Sequence, residues 1–389
     1  MSKKLNIINT ALFMVILLTF SLAFFILPDQ SFSEQENRSL RTLPKFTWEK
    51  LASGAYGREI NDYFADQFPL RDLMVGLKSC SELSLGKGEN NGVILGKDGQ
   101  LQTRLYDAIT AGKEVMHDVD CYDPAAVQKA IEGINRAGKN LNVPLDVLLT
   151  GRTVDVTAAS SHYPNTFGEE LLEQLRTGIS DSVNYIETVP TLRQRHEAGE
   201  CVYYKTDHHW TTLGAYYAYV EIMRSYGMQE RIVPMDAFER ELASSAFYGT
   251  AWSAGGMKHV SPDSLEIWHY GNEDEFAVIA DGKELNGFYS REYLSRKDQY
   301  SVFLDGTHDV VTIQKAGEER PTLLLLKDSF ANSIAPFLAQ HFDLVLLNLS
   351  SRQNYSDITS LAKEYGADRV LILYTVENVI TADKLWDLR

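Results

Sequence analysis

The last third of the chain alternates aliphatic runs with helical segments, and this restricts the fold more than any other feature. Residues 322–326, 344–349 and 369–374 are nearly unbroken apolar stretches of strand length. Between them, 331–340 and 358–365 carry helix-period patterns. Strands joined by crossover helices run parallel, and a parallel sheet hides both faces, so its strands need no polar alternation. The pattern continues upstream as helix 124–139, strand 145–150, helix 167–176 and strand 183–189. Asp123 is the N-cap of the first of these helices and Pro124 its first residue. The fold class is therefore α/β, a parallel sheet with helices on both faces. Ligands in such sheets gather at the carboxyl ends of the strands.

The N-terminus is of another kind. Lys3 and Lys4 precede an apolar run over 11–27, interrupted only by Thr19 and Ser21; with Ile7 and Ile8 it approaches the roughly 20 residues a membrane span needs. Lysines before it and Asp29, Glu34 and Glu36 after it predict an internal N-terminus, with the rest of the chain outside the membrane. A signal peptide cut after Ser21-Leu22-Ala23 would release a secreted protein. That cut falls inside the apolar run and leaves Phe24-Phe25-Ile26-Leu27 exposed, so an uncleaved single-pass anchor is the favoured reading.

Three parts follow: an anchor or signal over 1–28, a juxtamembrane helical collar over 29–90, and an α/β domain over 91–389. In the collar, Leu51, Ile60, Tyr63 and Phe64 keep helical spacing; a break follows at 66–72, where Pro69 is expected to open the next helix. Asp98-Gly99 marks a β-hairpin turn. Residues 229–315 mix short β-like pieces (264–268, 276–279) with Gly and Asp, and are expected to form a β-rich insertion flanking the site. The net charge of −16 argues against non-specific nucleic-acid binding, which needs Lys and Arg on phosphates. Cys80, Cys121 and Cys201 have no metal-ligand spacing and are too few and scattered for a disulfide framework.

Reactive side chains concentrate in Lys205-Thr206-Asp207-His208-His209-Trp210-Thr211-Thr212, a loop leading into a helix. An acid and an imidazole are two members of a nucleophilic triad. The missing hydroxyl is best supplied by Ser329, at the turn between strand 322–326 and helix 331–340. From there the backbone N–H groups of Ser329 and Phe330 can face an oxyanion. Spacing leaves open which histidine is the base. His208 can pack or cap, Trp210 is expected to wall the pocket, and Asp328 to form the turn. Arg152, Arg352 and Asn378 each follow a predicted strand at the same sheet edge and are candidates to bind an oxyanion or a substrate anion; the plainer role for each is a surface salt bridge or a loop cap. The plain reading of Asp328-Ser329 is a helix cap, and of the histidines, packed hydrogen-bonded side chains.

These residues resemble the DHHW proteins, named for the sequence seen here at Asp207-His208-His209-Trp210. Those are relatives of the alginate O-acetylation proteins of the bacterial cell envelope. Glu36-Asn37-Arg38, the 66–72 stretch, Gly96-Lys97-Asp98-Gly99, Lys327-Asp328-Ser329-Phe330 and 369–374 share the likeness. It implies an SGNH-hydrolase-like fold with permuted motif order, the serine following the acid–histidine pair, and Lys327 in place of the usual glycine. It implies Asp207, His209 and Ser329 as triad, with His209 chosen because it precedes Trp210. It further implies an O-acetyltransferase acting on a cell-surface polysaccharide through acetyl-serine, with no metal or nucleotide cofactor. A multi-pass membrane O-acyltransferase would be the acetyl donor. Around Arg352 the chain departs from its relatives. Two other readings stand beside this one: a carbohydrate or lipid acetylesterase using the same triad, and a non-catalytic envelope scaffold or glycan-binding protein.

Overall fold

Alternate leucines of one strand feed two separate cores. Leu323 and Leu325 pack with Leu344, Leu346, Leu371 and Leu373, whereas Leu324 and Leu326 pack with Val345, Leu347, Val370 and Ile372. A strand points successive side chains to opposite faces, so an unbroken aliphatic run requires cover on both sides. All four of these leucines are fully buried. Each contributes about 1.5–3 kcal/mol relative to exposure.

The computed structural model describes residues 3–33, 38–104, 122–161, 167–349, 357–381 and 384–389. They form two units. The first, Met1–Asn91 with Ser253–His259, contains helices α1 (Lys3–Ile26), α2 (Ala55–Asp66) and α3 (Arg71–Ser84). α1 has 24 residues and is long and apolar enough to cross a membrane. α3 begins at Arg71 after Leu70, which takes a left-handed φ of 57°, so Pro69 does not open the helix as expected.

The second unit, Gly92–Trp252 with Val260–Arg389, begins with hairpin β1 (Val93–Leu95) and β2 (Leu101–Thr103). Asp98 and Gly99 both have positive φ at its turn, which the Gln100 N–H closes on the Lys97 carbonyl. Then come α4 (Pro124–Asn140), β3 (Leu145–Thr150), α5 (Thr153–Ser161), α6 (Gly168–Gly178), β4 (Asn184–Ile186), α7 (Val189–Glu197) and α8 (Thr212–Ser225). The chain continues through β5 (Glu239–Phe247), β6 (Asp263–His269), β7 (Phe276–Ala280), β8 (Lys283–Glu284), β9 (Val310–Lys315) and β10 (Thr322–Lys327). It closes with α9 (Ala331–Leu338), β11 (Asp343–Asn348), α10 (Ile358–Glu364), β12 (Arg369–Thr375) and α11 (Val376–Thr381). β4 is shorter than expected, because Pro190 in the first turn starts α7 at Val189.

One eight-stranded sheet organises this unit, in the order β8-β7-β9-β11-β10-β12-β3-β4. The five strands β11, β10, β12, β3 and β4 are parallel, and β9, β7 and β8 extend the sheet antiparallel. Helices cover both faces: α8 and α9 lie in one core, and α4, α6, α10 and α11 in the other. The expected insertion at 229–315 therefore divides. β5 and β6 pair as a hairpin of their own, and β7 to β9 join the main sheet. Val278 and Ile313 are buried between more exposed neighbours. That alternation suits antiparallel strands covered on one face.

Candidate active site

The acid–histidine loop is folded on itself. Tyr203 and Trp210 form an antiparallel bridge, and the Asp263 carboxylate accepts from the N–H groups of Lys205 (2.9 Å) and Thr206 (2.8 Å). Thr211 caps α8, its hydroxyl accepting from the Gly214 N–H. Asp207 and His209 are thereby held at one end of the sheet. Ser329 follows β10 directly, at the turn into α9.

Across 120 residues of sequence, His209 Nε2 lies 2.7 Å from Ser329 Oγ. His209 Nδ1 lies 2.5 Å from Asp207 Oδ1. A carboxylate only accepts, so Nδ1 carries the proton and Nε2 is left to accept from the serine hydroxyl. Asp207 Oδ2 accepts from Thr250 twice, from its N–H at 2.7 Å and its hydroxyl at 3.0 Å. Burial pushes the Asp207 carboxyl up, but the imidazoles of His208 and His209 and the Thr250 N–H reverse this and hold it well below the usual carboxylate range. Tyr300 stacks on the His209 ring, centroids 3.7 Å apart at 10°, and its hydroxyl donates to Ser333 Oγ at 3.0 Å.

The serine turn is braced by its neighbour. Asp328 Oδ1 accepts from the Phe330 N–H (3.0 Å), and Oδ2 accepts from the Thr375 N–H (2.7 Å) and from Asn378 Nδ2 (2.8 Å). The Phe330 N–H is thus used inside the turn and is not aimed at an oxyanion as expected. No acceptor for the Ser329 N–H lies among the described residues, which leaves it available. Lys327, 1% exposed beneath the turn, donates to Asn332 Oδ1 at 2.7 Å. Burial lowers its pKa to about 8 against the pull of Asp328 and Asp281.

The remaining candidates sit as follows. Asn378 has its amide on Asp328, so it holds the serine turn. Arg152 donates to Asp155 through N, Nε and Nη2 at 2.7–3.0 Å and covers the Phe167 ring; it makes a salt bridge, but a buried one and not the surface pair of the plainer reading. His208 bonds Thr250 Oγ1 through Nδ1 at 2.7 Å and shares a small cleft with Arg152 and Glu377. Its side chain is 37% exposed; burial of the remainder and the His209 imidazole push its pKa below the ordinary histidine value. Trp210 does not wall the pocket. It is fully buried in the core, and its Nε1 donates to Ser333 Oγ at 2.8 Å, tying the loop to α9. Arg352 lies outside the described residues. Thr250, Tyr300 and Ser333 were not singled out in the sequence. None belongs to a motif, and each meets the site through tertiary contact.

Asp207, His208 and His209 also each offer a ligand atom within 4.8 Å of the others, close enough to share a cation. The Asp207 and His209 atoms are already paired with each other, so a cation there would displace the bond that orients His209.

Residues 184–348 match the sequence model of the family described as DHHW protein. Over 225 residues the chain is 25% identical to the probable alginate O-acetylase AlgJ of Pseudomonas syringae pv. tomato, covering 55% of this chain and 51% of that protein. The chain therefore spans about half the length of this curated relative. Among solved structures, a DHHW family protein from Eubacterium siraeum superposes with a TM-score of 0.60 at 16% identity, covering 77% of this chain and 95% of that one. Bacillus cereus PatB1, solved with a sulfonyl adduct, gives 0.61 at 21% identity over 76% and 100%. These likenesses show a shared mixed α/β fold built on a large, mostly parallel sheet. The Asp-His-His-Trp motif lies inside the span, residues 184–348, over which the chain is similar to the DHHW proteins.

Proposed function

We propose that this protein is an O-acetyltransferase acting outside the cytoplasm on a cell-surface polysaccharide, with Ser329, His209 and Asp207 as its triad. The observation that carries the reading is the unbroken hydrogen-bonded line from Ser329 Oγ through the His209 ring to Asp207. In the first half-reaction Ser329 Oγ attacks the acetyl carbonyl carbon while His209 Nε2 takes its proton. The donor's C–O bond then breaks, and His209 protonates the leaving oxygen. In the second half, a glycan hydroxyl gives its proton to His209 and attacks acetyl-Ser329. Ser329 Oγ leaves and recovers the proton. Asp207 keeps Nδ1 protonated and stabilises the imidazolium throughout. The Ser329 N–H would be a donor to the developing oxyanion.

The serine follows the acid–histidine pair in the chain, as in a permuted SGNH-hydrolase arrangement. α1 would anchor the chain in the membrane with the second unit outside, where acetyl-CoA is absent. A multi-pass membrane O-acyltransferase would then deliver the acetyl group. Support comes from the family match and from the name of the AlgJ relative. The test compares turnover of an aryl acetate with and without acetyl-free oligosaccharide acceptors, alginate oligomers among them. Acetyl transfer exceeding hydrolysis, lost in Ser329→Ala, supports the reading. Hydrolysis unaffected by every acceptor would make the protein an acetylesterase.

A further inference from the structure

In the first unit, helix α3 carries its apolar stripe on the outside. Leu70, Leu73, Met74 and Leu77 recur at helical spacing and are 62%, 49%, 36% and 53% exposed. The face that packs inward is made of small residues, with Gly76 and Ser79 buried. A stripe at this spacing normally faces a core, and a contiguous exposed one marks an interaction surface.

The elbow between α2 and α3 shows what covers it. Gln67 is clamped to the segment after α1: its amide donates to the carbonyls of Gln30 (2.9 Å) and Arg41 (2.8 Å) and its oxygen accepts from the Gln30 N–H. Tyr63 donates to Asp29 at 3.0 Å. These polar contacts lie just past the end of α1. One residue beyond Gln67, Phe68 stacks on Phe20 with centroids 5.4 Å apart, and Phe64 stacks on Phe24 at 4.9 Å. Phe20 lies six residues before Ile26, the last of α1, which at 1.5 Å per residue is about 9 Å down the helix. A groove of about 560 Å³ between α1 and the elbow is lined by Ile16, Phe20, Phe24, Phe64, Phe68 and Met74 among others, with no charged side chain. Arg71, beside the elbow, faces Asp66 at 3.9 Å and donates through Nε to the Ala65 carbonyl at 3.0 Å.

We propose that the elbow at residues 67–70 and the first turns of α3 are inserted in the outer leaflet beside α1, with lipid acyl chains filling the groove. This rests on α1 being membrane-inserted and is independent of the triad. The occupant is lipid because the elbow is bolted to the anchor at a depth where lipid is the surrounding medium. Insertion to about 5–10 Å is typical of interfacial helices.

The test uses the full chain with its native cysteines replaced by serine, in vesicles of palmitoyl-oleoyl phosphatidylcholine. Spin labels are placed singly at Leu17→Cys, Leu70→Cys, Leu73→Cys and Lys87→Cys. Collision rates with dissolved oxygen and with a water-soluble nickel chelate are then compared. Oxygen prevailing at 17, 70 and 73, with the chelate prevailing at 87, is the expected result. Oxygen at 17 but chelate at 70 and 73 overturns the proposal and leaves the anchor intact. Chelate at 17 overturns the anchor reading and the proposal with it. Shielding of 70 and 73 from both reagents would mean a protein partner, a second copy of the chain, and also overturns it.

Discussion

Gly249 presses against the acid of the candidate triad, which makes Gly249→Ala a sharp perturbation. A Cβ at this position would lie 2.2 Å from Asp207 Cβ and 2.4 Å from its Oδ2. Carbon atoms in contact sit about 3.5–4.0 Å apart, so the Asp207 side chain must retreat by more than about 1 Å. The two bonds from Thr250 to Oδ2 are stretched first, and His209 loses the partner that fixes its tautomer. Misplacement by about 1 Å in a catalytic constellation costs about 10²-fold in rate. Overpacking of this kind removes about 1–3 kcal/mol of stability, too little to unfold a domain of ordinary stability. The assay is kcat for aryl-acetate turnover together with urea unfolding. Gly88→Ala is the control, since nothing lies within 4 Å of its new Cβ. A folded Gly249→Ala protein with unchanged kcat would refute the claim that Asp207 orients the base.

Other perturbations have definite outcomes. Asp207→Asn keeps the shape but not the charge, and should lower kcat by about 10⁴-fold with KM little changed; a loss under about tenfold counts against the triad. Tyr300→Ala removes the ring stacked on His209 and should destabilise by about 3–5 kcal/mol, whereas Tyr300→Phe keeps the stack and should retain most activity; both are read by urea unfolding and kcat. Lys327 gives a pH signature. Its pKa is about 8 folded and about 10.4 unfolded, so between those values the unfolded state binds more protons and stability rises with pH. The rise attributable to this lysine is on the order of 3 kcal/mol. It should be absent from Lys327→Met, and so appear as the difference between parent and variant in the stability change from pH 8 to pH 10; equal slopes would show that the lysine is not desolvated as described.

The parallel core was legible because strands buried on both faces must be aliphatic throughout, and the runs in β10, β11 and β12 are. The antiparallel extension was harder. β7 and β9 bury only alternate residues, and short alternating pieces do not say which sheet they join. In the site, residue types and strand ends located Asp207, His209 and Ser329, but no spacing rule connects positions 120 residues apart. The resemblance singled out His209. Trp210 was misread because adjacency to His209 in sequence does not make two side chains share a side: His209 turns to Ser329, and Trp210 turns to the core. Arg152 and Asn378 do stand at strand ends, but Asp155 and Asp328 take their donors. The Asp155 partner, three residues along, is local enough to be suspected from sequence; the Asp328 partner is not.

Acylation of Ser329 is the most direct test of the central claim. The full chain is mixed with excess 4-nitrophenyl acetate, quenched in acid within the first turnover and digested for tandem mass spectrometry. The account predicts a single acetyl group on the peptide containing Ser329, located on that residue, absent in Ser329→Ala and greatly diminished in His209→Ala. An unmodified Ser329 under conditions where the protein turns over acetyl ester, or an acetyl group on another side chain that survives Ser329→Ala, would contradict it.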